Sequence, residues 1–219
     1  MSKCPTTLLF DWDNTLVDSW SVLHATMNET LAAMGQPIWS RQEAEARIRT
    51  SMRDSFPILF GERWPEAEQV FYTSYERQHL AALKPLAGAD DLLSWAAPQF
   101  YLAVVSNKRG RFLRAEAAAL GWDRYFQALA GAGDSARDKP APEHVAAALD
   151  PGQLAAGPHV WFVGDTDIDL VCAHNTGCIP VLVRPGPPAP AEFDSAPPQH
   201  YFPDLASLQA ALAALRQAV

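Results

Sequence analysis

The strongest constraint on the fold is an alternation of buried strand-like runs with helix-like segments. Four runs are apolar, β-branched or aromatic and end in polar residues, glycine or proline, as buried parallel strands do. These runs cover residues 6–10, 101–105, 159–163 and 179–183. Helix signals follow at residues 111–120, 142–149, 166–175 and 205–215. The alternation predicts a doubly wound α/β protein with a parallel, Rossmann-like sheet, whose ligands bind beyond the carboxyl ends of the strands.

Residues 18–84 interrupt this alternation, because they contain no strand-like run. Apolar side chains at helical spacing predict an amphipathic helix near the start of this stretch. They are Trp20, Leu23, Met27, Leu31 and Met34. Segments 41–50 and 66–83 also have helical character. We therefore predict a core domain formed by residues 1–17 and 85–219, with a small helical domain inserted at 18–84.

Composition and charge exclude several classes of partner. The 17 basic and 25 acidic residues give a net charge of −8 with no basic stripe, so nucleic acid is not expected as a partner. The longest apolar runs are far shorter than the ~20 residues that a membrane span requires. Three cysteines without CxxC spacing indicate neither a zinc site nor a disulfide framework. The expectation is a cytoplasmic protein, monomeric or homodimeric, with 185–203 as a proline-rich surface loop.

Two carboxylates follow the first predicted strand with one residue between them. Asp11 and Asp13 stand directly after residues 6–10, where a buried strand would end. Two like charges about 4 Å apart repel by roughly 4 kcal/mol at an effective dielectric constant of about 20, so the pair implies a compensating cation or a function. The structural alternative is that both aspartates cap a following helix.

Three further polar groups occur later in the chain. Ser106 and Asn107 follow the second predicted strand and, taken alone, would be interpreted as turn residues. Lys139 and Pro140 follow a glycine-containing loop over residues 131–138. The last group ends the third predicted strand and consists of Gly164, Asp165, Thr166, Asp167, Ile168 and Asp169. All of these groups are predicted to lie at the ligand-binding edge of the sheet.

In this order, and with a helical insertion between the first and second groups, the motifs resemble the haloacid dehalogenase superfamily of phosphotransferases. The resemblance covers nearly the whole chain. Its four motifs are matched by Asp11, Asp13, Thr15, Ser106, Lys139, Asp165 and Asp169. The insertion point is similar to that of the helical cap subclass, which includes phosphoglycolate phosphatase-like enzymes.

The residue types of these motifs suit phosphoryl transfer. A carboxylate can attack phosphorus, so Asp11 is the expected nucleophile and would form a covalent aspartyl-phosphate. Asp13 is the expected general acid and base, which protonates the leaving alkoxide and later takes a proton from water. Ser106 and the backbone amide of Asn107 are expected to bind phosphoryl oxygens, and the resemblance adds Thr15 to this group.

A phosphate dianion approaches carboxylates only when positive charge is present. One source is a divalent cation, and Mg2+ is expected because it prefers hard oxygen ligands. Asp11 and Asp165 can supply side-chain oxygens. The resemblance implies that Asp13 adds its backbone carbonyl and that Asp169 sits behind as a supporting or water-holding metal residue. Asp167 is a spare acid that could instead cap the helix starting there.

A lysine is the second source of positive charge. Lys139 fits the third motif, because Pro140 follows it and a glycine-containing loop precedes it. Its ammonium group would neutralise the phosphoryl oxygens and the nucleophile. Lys108, which directly follows Asn107, is a competitor for this role.

The first motif departs from the family pattern at two positions. Many relatives have Phe and Gly where this chain has Trp12 and Asn14. Asparagine tolerates the left-handed conformation, so the loop is still expected to form. Dehalogenases proper need neither the second aspartate nor a metal, so Asp13 and Asp165 argue for phosphoryl transfer rather than carbon–halogen cleavage.

The resemblance also implies a role for the insertion. Such caps close over the core site, exclude water and help to choose the leaving group. Candidate substrate contacts are Trp20, His24, Arg47, Arg49, Arg53, Tyr72, Tyr75 and His79. Most of these side chains are expected to pack within the insertion or to face solvent.

Together these features predict a Mg2+-dependent phosphatase that acts on a small phosphorylated metabolite, such as phosphoglycolate or a sugar phosphate. One alternative is a phosphomutase of the same subclass, which returns the phosphoryl group to a sugar. Another is a non-catalytic phosphate-binding or regulatory module. The complete motif set argues against the module, because binding alone needs no acid or base.

Overall fold

The computed structural model describes residues 4–48 and 50–217. Within these residues, six strands form one sheet, and every neighbouring pair is parallel. The strands are β1 (Thr7–Phe10), β2 (Tyr101–Arg109), β3 (Ala128–Ala132), β4 (Val160–Gly164), β5 (Ile179–Val183) and β6 (His200–Phe202). Their order across the sheet is β3-β2-β1-β4-β5-β6. The predicted doubly wound parallel α/β fold is confirmed.

Along the chain, helices lie between the strands and after the last one. They are α1 (Trp20–Ala33), α2 (Arg41–Arg47), α3 (Met52–Phe60), α4 (Trp64–Gln78), α5 (Ala89–Ala96), α6 (Gly110–Leu120), α7 (Pro142–Leu149), α8 (Asp167–Thr176) and α9 (Leu205–Gln217). None of the helices in the part of the chain that the structure describes has the length and apolar character needed to cross a membrane.

The chain divides into two compact units, Met1–Val17 with Pro85–Val219, and Asp18–Lys84. In the first unit, β1 lies between β2 and β4, so all four of its residues are buried. Leu9 is in register with Ala103 on one side and with Phe162 on the other. These residues belong to one apolar core cluster, which explains why the central strands are continuous apolar runs.

The second unit contains α1 to α4. Helix α4 packs against both α1 and α3. Aromatic rings pack inside this second unit. The ring of Phe56 is in edge-to-face contact with Phe60 at 5.0 Å and with Phe71 at 5.8 Å between ring centroids. The two ends of the unit are tied together, because the backbone N–H of Asp18 donates to the carbonyl of Lys84 at 2.8 Å.

Several elements differ from the sequence prediction. Strands β3 and β6 and helices α3 and α5 were not predicted, and β6 lies inside the stretch interpreted as a loop. Helix α2 ends at Arg47 rather than at residue 50, and α4 spans Trp64–Gln78 rather than 66–83. Helix α3 contains Pro57 in its interior, a residue that ordinarily argues against helix.

Candidate active site

The first motif begins where central strand β1 ends. The backbone N–H of Asp11 donates to the carbonyl of Val163 at 2.9 Å, so the carboxylate of Asp11 is held at the carboxyl edge of the sheet. Asn14 has a φ of 62°, the left-handed conformation that asparagine was expected to tolerate. The next helix, α1, begins only at Trp20, so the alternative interpretation of both aspartates as helix caps is wrong.

A buried lysine joins two of the predicted acids. The Nζ of Lys139 lies 2.6 Å from Oδ1 of Asp11 and 2.7 Å from Oδ1 of Asp169. Lys139 is 2% exposed, and Asp169 is 1% exposed. The side-chain amide of Asn107 donates to the Lys139 carbonyl at 3.3 Å, which helps to anchor the loop that carries the lysine. The third motif therefore meets the first and fourth inside the protein.

Three carboxylates gather at this point. Oxygens of Asp11, Asp165 and Asp169 all lie within 4.8 Å of one another. The hydroxyl of Thr15 donates to Oδ1 of Asp165 at 3.3 Å. Residue 164 must be small, because a Cβ there would lie 2.2 Å from Cγ of Asp169. The arrangement offers a set of hard oxygen donors of the kind that Mg2+ prefers.

Asp169 also stabilises the start of α8. Its Oδ2 accepts hydrogen bonds from the backbone N–H of Thr166 at 3.1 Å and from the Thr166 hydroxyl at 3.0 Å. Thr166 is the N-cap of this helix, and Asp169 completes the capping box with it. Asp169 thus contacts Lys139 through Oδ1 and Thr166 through Oδ2.

The pKa values of the cluster reflect burial first and an excess of negative charge second. Burial raises the pKa of Asp11 to about 7, and Asp169 and Asp13 add to this rise against the opposing effect of Lys139. Burial likewise raises the pKa of Asp165 well above its ordinary value, with Asp169 and Asp11 contributing. Burial alone would lower the pKa of Lys139, but the carboxylates of Asp11 and Asp169 outweigh it and raise that pKa. A divalent cation would relieve this imbalance.

A second lysine is part of the same edge. The Nζ of Lys108 lies 2.7 Å from Oδ1 of Asp13 and 2.5 Å from Oε2 of Glu116. The sequence allows Lys108 as a competitor for the role of Lys139. The geometry gives the two lysines different partners, since Lys139 contacts Asp11 and Lys108 contacts Asp13.

Ser106 and Asn107 lie within β2 rather than after it, because this strand runs on to Arg109 with an irregular register. The hydroxyl oxygen of Ser106 accepts the backbone N–H of Lys108 at 3.2 Å. Nε2 of the buried His144 lies 3.2 Å from the Ser106 carbonyl, to which it can donate. These bonds hold Ser106 at the same edge of the sheet as Asp11.

The candidate residues of the insertion make contacts within their own unit. Nε2 of His24 lies 2.8 Å from the carbonyl oxygen of Trp39, and the guanidinium of Arg47 lies 4.9 Å from the centroid of the Trp39 ring. Trp20 is covered by Arg41 at 5.4 Å. Further ring contacts join Phe71 to Tyr72 and to Tyr75, and Tyr75 to His79. Arg53 is exposed, and Arg49 lies outside the described residues.

Sequence reasoning missed Glu116 and His144 as members of the site. Glu116 is 1% exposed and shares the buried face of α6 with Phe112, Leu113 and Ala117. A carboxylate on an otherwise apolar helix face was a signal that could have identified it, since buried charge is costly unless paired. His144 had no comparable signal, because a single buried histidine on a helix is ordinary.

Comparisons with known proteins identify the family of this chain. Residues 8–183 match the family model for haloacid dehalogenase-like hydrolases. A phosphoglycolate phosphatase from Rhodobacter capsulatus is 27% identical over 213 residues, covering 92% of this chain and 94% of that protein. One from Pseudomonas fluorescens is 28% identical over 188 residues, covering 80% and 68% respectively.

A solved structure shows the same fold. It is a haloacid dehalogenase-like family hydrolase from Streptococcus pneumoniae, with a TM-score of 0.82 at 22% identity over 94% of this chain and 98% of that one. Because the family model spans most of the chain, the chain belongs to the haloacid dehalogenase-like hydrolase family.

Proposed function

We propose that this hydrolase is a Mg2+-dependent phosphatase that cleaves a small phosphorylated metabolite through an aspartyl-phosphate on Asp11. The observation that carries the proposal is the buried contact of Lys139 with both Asp11 and Asp169, beside the carboxylate of Asp165. This arrangement gathers a nucleophile, a cation and metal-ligating oxygens at one point.

The reaction has two steps, formation of the aspartyl-phosphate and its hydrolysis. In the first, an oxygen of Asp11 forms a bond to phosphorus while the ester P–O bond breaks, and Asp13 gives its proton to the departing alkoxide. In the second, the carboxylate of Asp13 takes a proton from water. The oxygen of that water bonds to phosphorus, and the bond to Asp11 breaks, which releases inorganic phosphate.

The described residues fit a magnesium ion. It would be held by the carboxylates of Asp11 and Asp165 and by the backbone carbonyl of Asp13. Asp169, which is itself fixed by its contacts with Lys139 and Thr166, would support these ligands. When bound, Mg2+ supplies positive charge that lowers the repulsion between the substrate phosphate and the carboxylates. Burial and neighbouring like charge raise the pKa values of Asp11 and Asp165. A bound cation would stabilise both charged carboxylates, which supports this fit.

Phosphate binding is proposed for residues at the same edge. Lys139 would neutralise a phosphoryl oxygen, and the hydroxyl of Ser106 and the backbone N–H of Asn107 would donate hydrogen bonds to others. The contact of Thr15 with Asp165 favours a role in orienting that carboxylate, and its phosphate contact stays a prediction.

The identity of the substrate is a narrower proposal. Phosphoglycolate is a candidate because the relatives described above carry the name phosphoglycolate phosphatase. The unit Asp18–Lys84 is proposed to be the cap domain that chooses the leaving group. We also propose that the protein is cytoplasmic and that it is a monomer or a homodimer. The free thiols of Cys4, Cys172 and Cys178 are consistent with the proposed location.

A panel of alkyl and aryl phosphate monoesters at fixed Mg2+, ranked by kcat/KM, tests the function. Release of inorganic phosphate from at least one small alkyl phosphate is expected. Isomerisation of a sugar phosphate with a bisphosphate primer, without release of phosphate, would instead favour the phosphomutase. Binding of phosphate esters with no turnover of any of them would favour the non-catalytic module.

Removal of the metal should abolish most of the activity. In EDTA we expect kcat/KM to fall at least about 100-fold, since a bound cation contributes several kcal/mol to charge stabilisation. Added Mg2+ at about 100 times its Kd should restore activity and raise the free energy of unfolding by about 2.7 kcal/mol. Unimpaired hydrolysis in EDTA would contradict the metal assignment.

Matched variants make the metal test independent of catalysis. Asp165→Asn should lose the stabilisation by Mg2+, measured as a shift in Tm, because one carboxylate ligand is removed. Asp167→Asn changes a neighbouring acid that is placed outside the cluster and should keep the shift. Equal shifts in both variants would show that Mg2+ binds elsewhere.

A further inference from the structure

The side chain of Trp12 makes a buried polar contact. Its indole Nε1–H donates to Oε2 of Glu116 at 2.7 Å. Trp12 is fully buried, and its ring packs edge-to-face against Trp122 at 5.8 Å between centroids. A phenylalanine at this position would have no donor for this bond. The departure from the common motif thus has a specific partner on α6.

Glu116 connects this contact to the acid/base. Its Oε2 accepts from Trp12 and lies 2.5 Å from Nζ of Lys108, and that same ammonium group lies 2.7 Å from Oδ1 of Asp13. The side chains of Lys108 and Glu116 are 3% and 1% exposed. A buried carboxylate and a buried ammonium at this distance hold each other in place, because moving either one leaves an uncompensated charge.

We propose that Trp12, Glu116 and Lys108 form a buried relay that positions the carboxyl group of Asp13 for its proton transfers. The inference rests on the proposed phosphatase function and deepens it. In this relay Trp12 orients Glu116, Glu116 fixes the ammonium of Lys108, and Lys108 holds Oδ1 of Asp13. Because an ammonium group donates and cannot accept, the proton that Asp13 exchanges with the leaving group and with water is carried on Oδ2.

The relay is separate from the contacts of the nucleophile. Lys139 contacts Asp11 and Asp169, whereas Lys108 contacts Asp13 and Glu116. The two aspartates of the motif therefore have different cations. Loss of Lys108 should impair proton transfer to the leaving group while the nucleophile keeps its own cation.

Leaving groups of different acidity separate these effects. An alkyl phosphate needs a proton from Asp13 as its P–O bond breaks, whereas the p-nitrophenolate of p-nitrophenyl phosphate departs without one. The value of kcat/KM reports the steps up to this bond cleavage. A positioning role for the relay therefore predicts selective loss of activity on the alkyl phosphate, which a general loss of folded enzyme cannot produce.

The variants are Lys108→Met and Trp12→Phe, compared with Asp13→Asn. For the best alkyl phosphate of the panel, Lys108→Met should lower kcat/KM by about 100-fold, within the usual range for general acid catalysis. For p-nitrophenyl phosphate the loss should stay below about tenfold. Trp12→Phe should also lower kcat/KM for the alkyl phosphate relative to p-nitrophenyl phosphate, but by less than Lys108→Met does. Asp13→Asn should give the largest shift of the ratio of the two kcat/KM values.

Two further variants keep the test decisive. Lys108→Met combined with Glu116→Gln avoids an unpaired buried carboxylate, and it should fold and show the same selective loss. Arg114→Met removes an exposed cation from the same helix and should leave the ratio unchanged. Thermal unfolding of each variant confirms that folded protein is compared.

The outcomes distinguish the relay from the function on which it rests. If the folded Lys108 variants lose activity equally on both esters, or lose none, the relay is overturned. If the wild-type protein hydrolyses neither ester, the proposed function is overturned, and with it the relay. A selective loss on the alkyl ester that follows the order Asp13, Lys108, Trp12 supports the relay.

Discussion

Asp11→Asn should reduce hydrolysis of p-nitrophenyl phosphate by at least about 1,000-fold, since removal of a nucleophile costs up to about a millionfold in kcat. An amide is nearly isosteric with the carboxylate but is a far weaker nucleophile, so no aspartyl-phosphate forms. The measurement is the initial rate in Mg2+ buffer with the purified, folded variant. Phosphoryl-enzyme trapped by acid quench should be found in the wild type and not in the variant.

Asp167→Asn is the matched control for this result. It carries the same chemical change near the same edge of the sheet, at the start of α8, but stands outside the cluster of Asp11, Asp165 and Asp169. Its kcat should remain within about threefold of the wild-type value, because the substitution keeps the size of the side chain and leaves the three clustered carboxylates in place. Full activity in Asp11→Asn would overturn the nucleophile assignment.

Lys139→Met should remove activity and also destabilise the protein. The substitution leaves Asp11 and Asp169 as buried carboxylates without the ammonium that contacts both. Breaking a buried ion pair by removing one partner costs about 3–5 kcal/mol. Denaturant unfolding in EDTA should show this loss, and kcat should fall by at least about 1,000-fold because the phosphoryl oxygens lose their cation.

The control and the compensating variant separate charge from packing. Lys84→Met removes an exposed lysine and should change the free energy of unfolding by less than about 0.5 kcal/mol. Lys139→Met combined with Asp169→Asn removes one of the stranded charges and should recover part of the stability without recovering activity. Unchanged stability in the single variant would contradict the ion-pair geometry.

The strands of the core could be predicted where they are buried on both faces. Strands β1, β4 and β5 are continuous apolar runs, and each lies within one residue of the predicted range. Helix α7 begins at Pro142 and ends at Leu149, as predicted from the proline at its first turn. These elements are recognisable because burial leaves a local pattern in the sequence.

The edge strands left no such pattern. Strand β3 consists of alanine, leucine and glycine, residues without strong strand preference, and β6 has only three residues. Both form because neighbouring strands provide hydrogen-bond partners. In β3, Gly131 is required by packing, since a Cβ there would lie 2.4 Å from Cα of Gly110. Tertiary context decided these elements.

The sequence by itself determined the family, the α/β fold and the set of motif residues, because chemistry restricts which residue types can occupy those positions. Only the tertiary structure decided how the charges are paired. Lys139 lies 128 residues from Asp11 along the chain, and Glu116 lies 104 residues from Trp12. Contacts over such separations depend on strand order and helix packing, which no local pattern encodes. The pairing of Lys139 with Asp11 and of Lys108 with Asp13 is therefore a property of the folded chain.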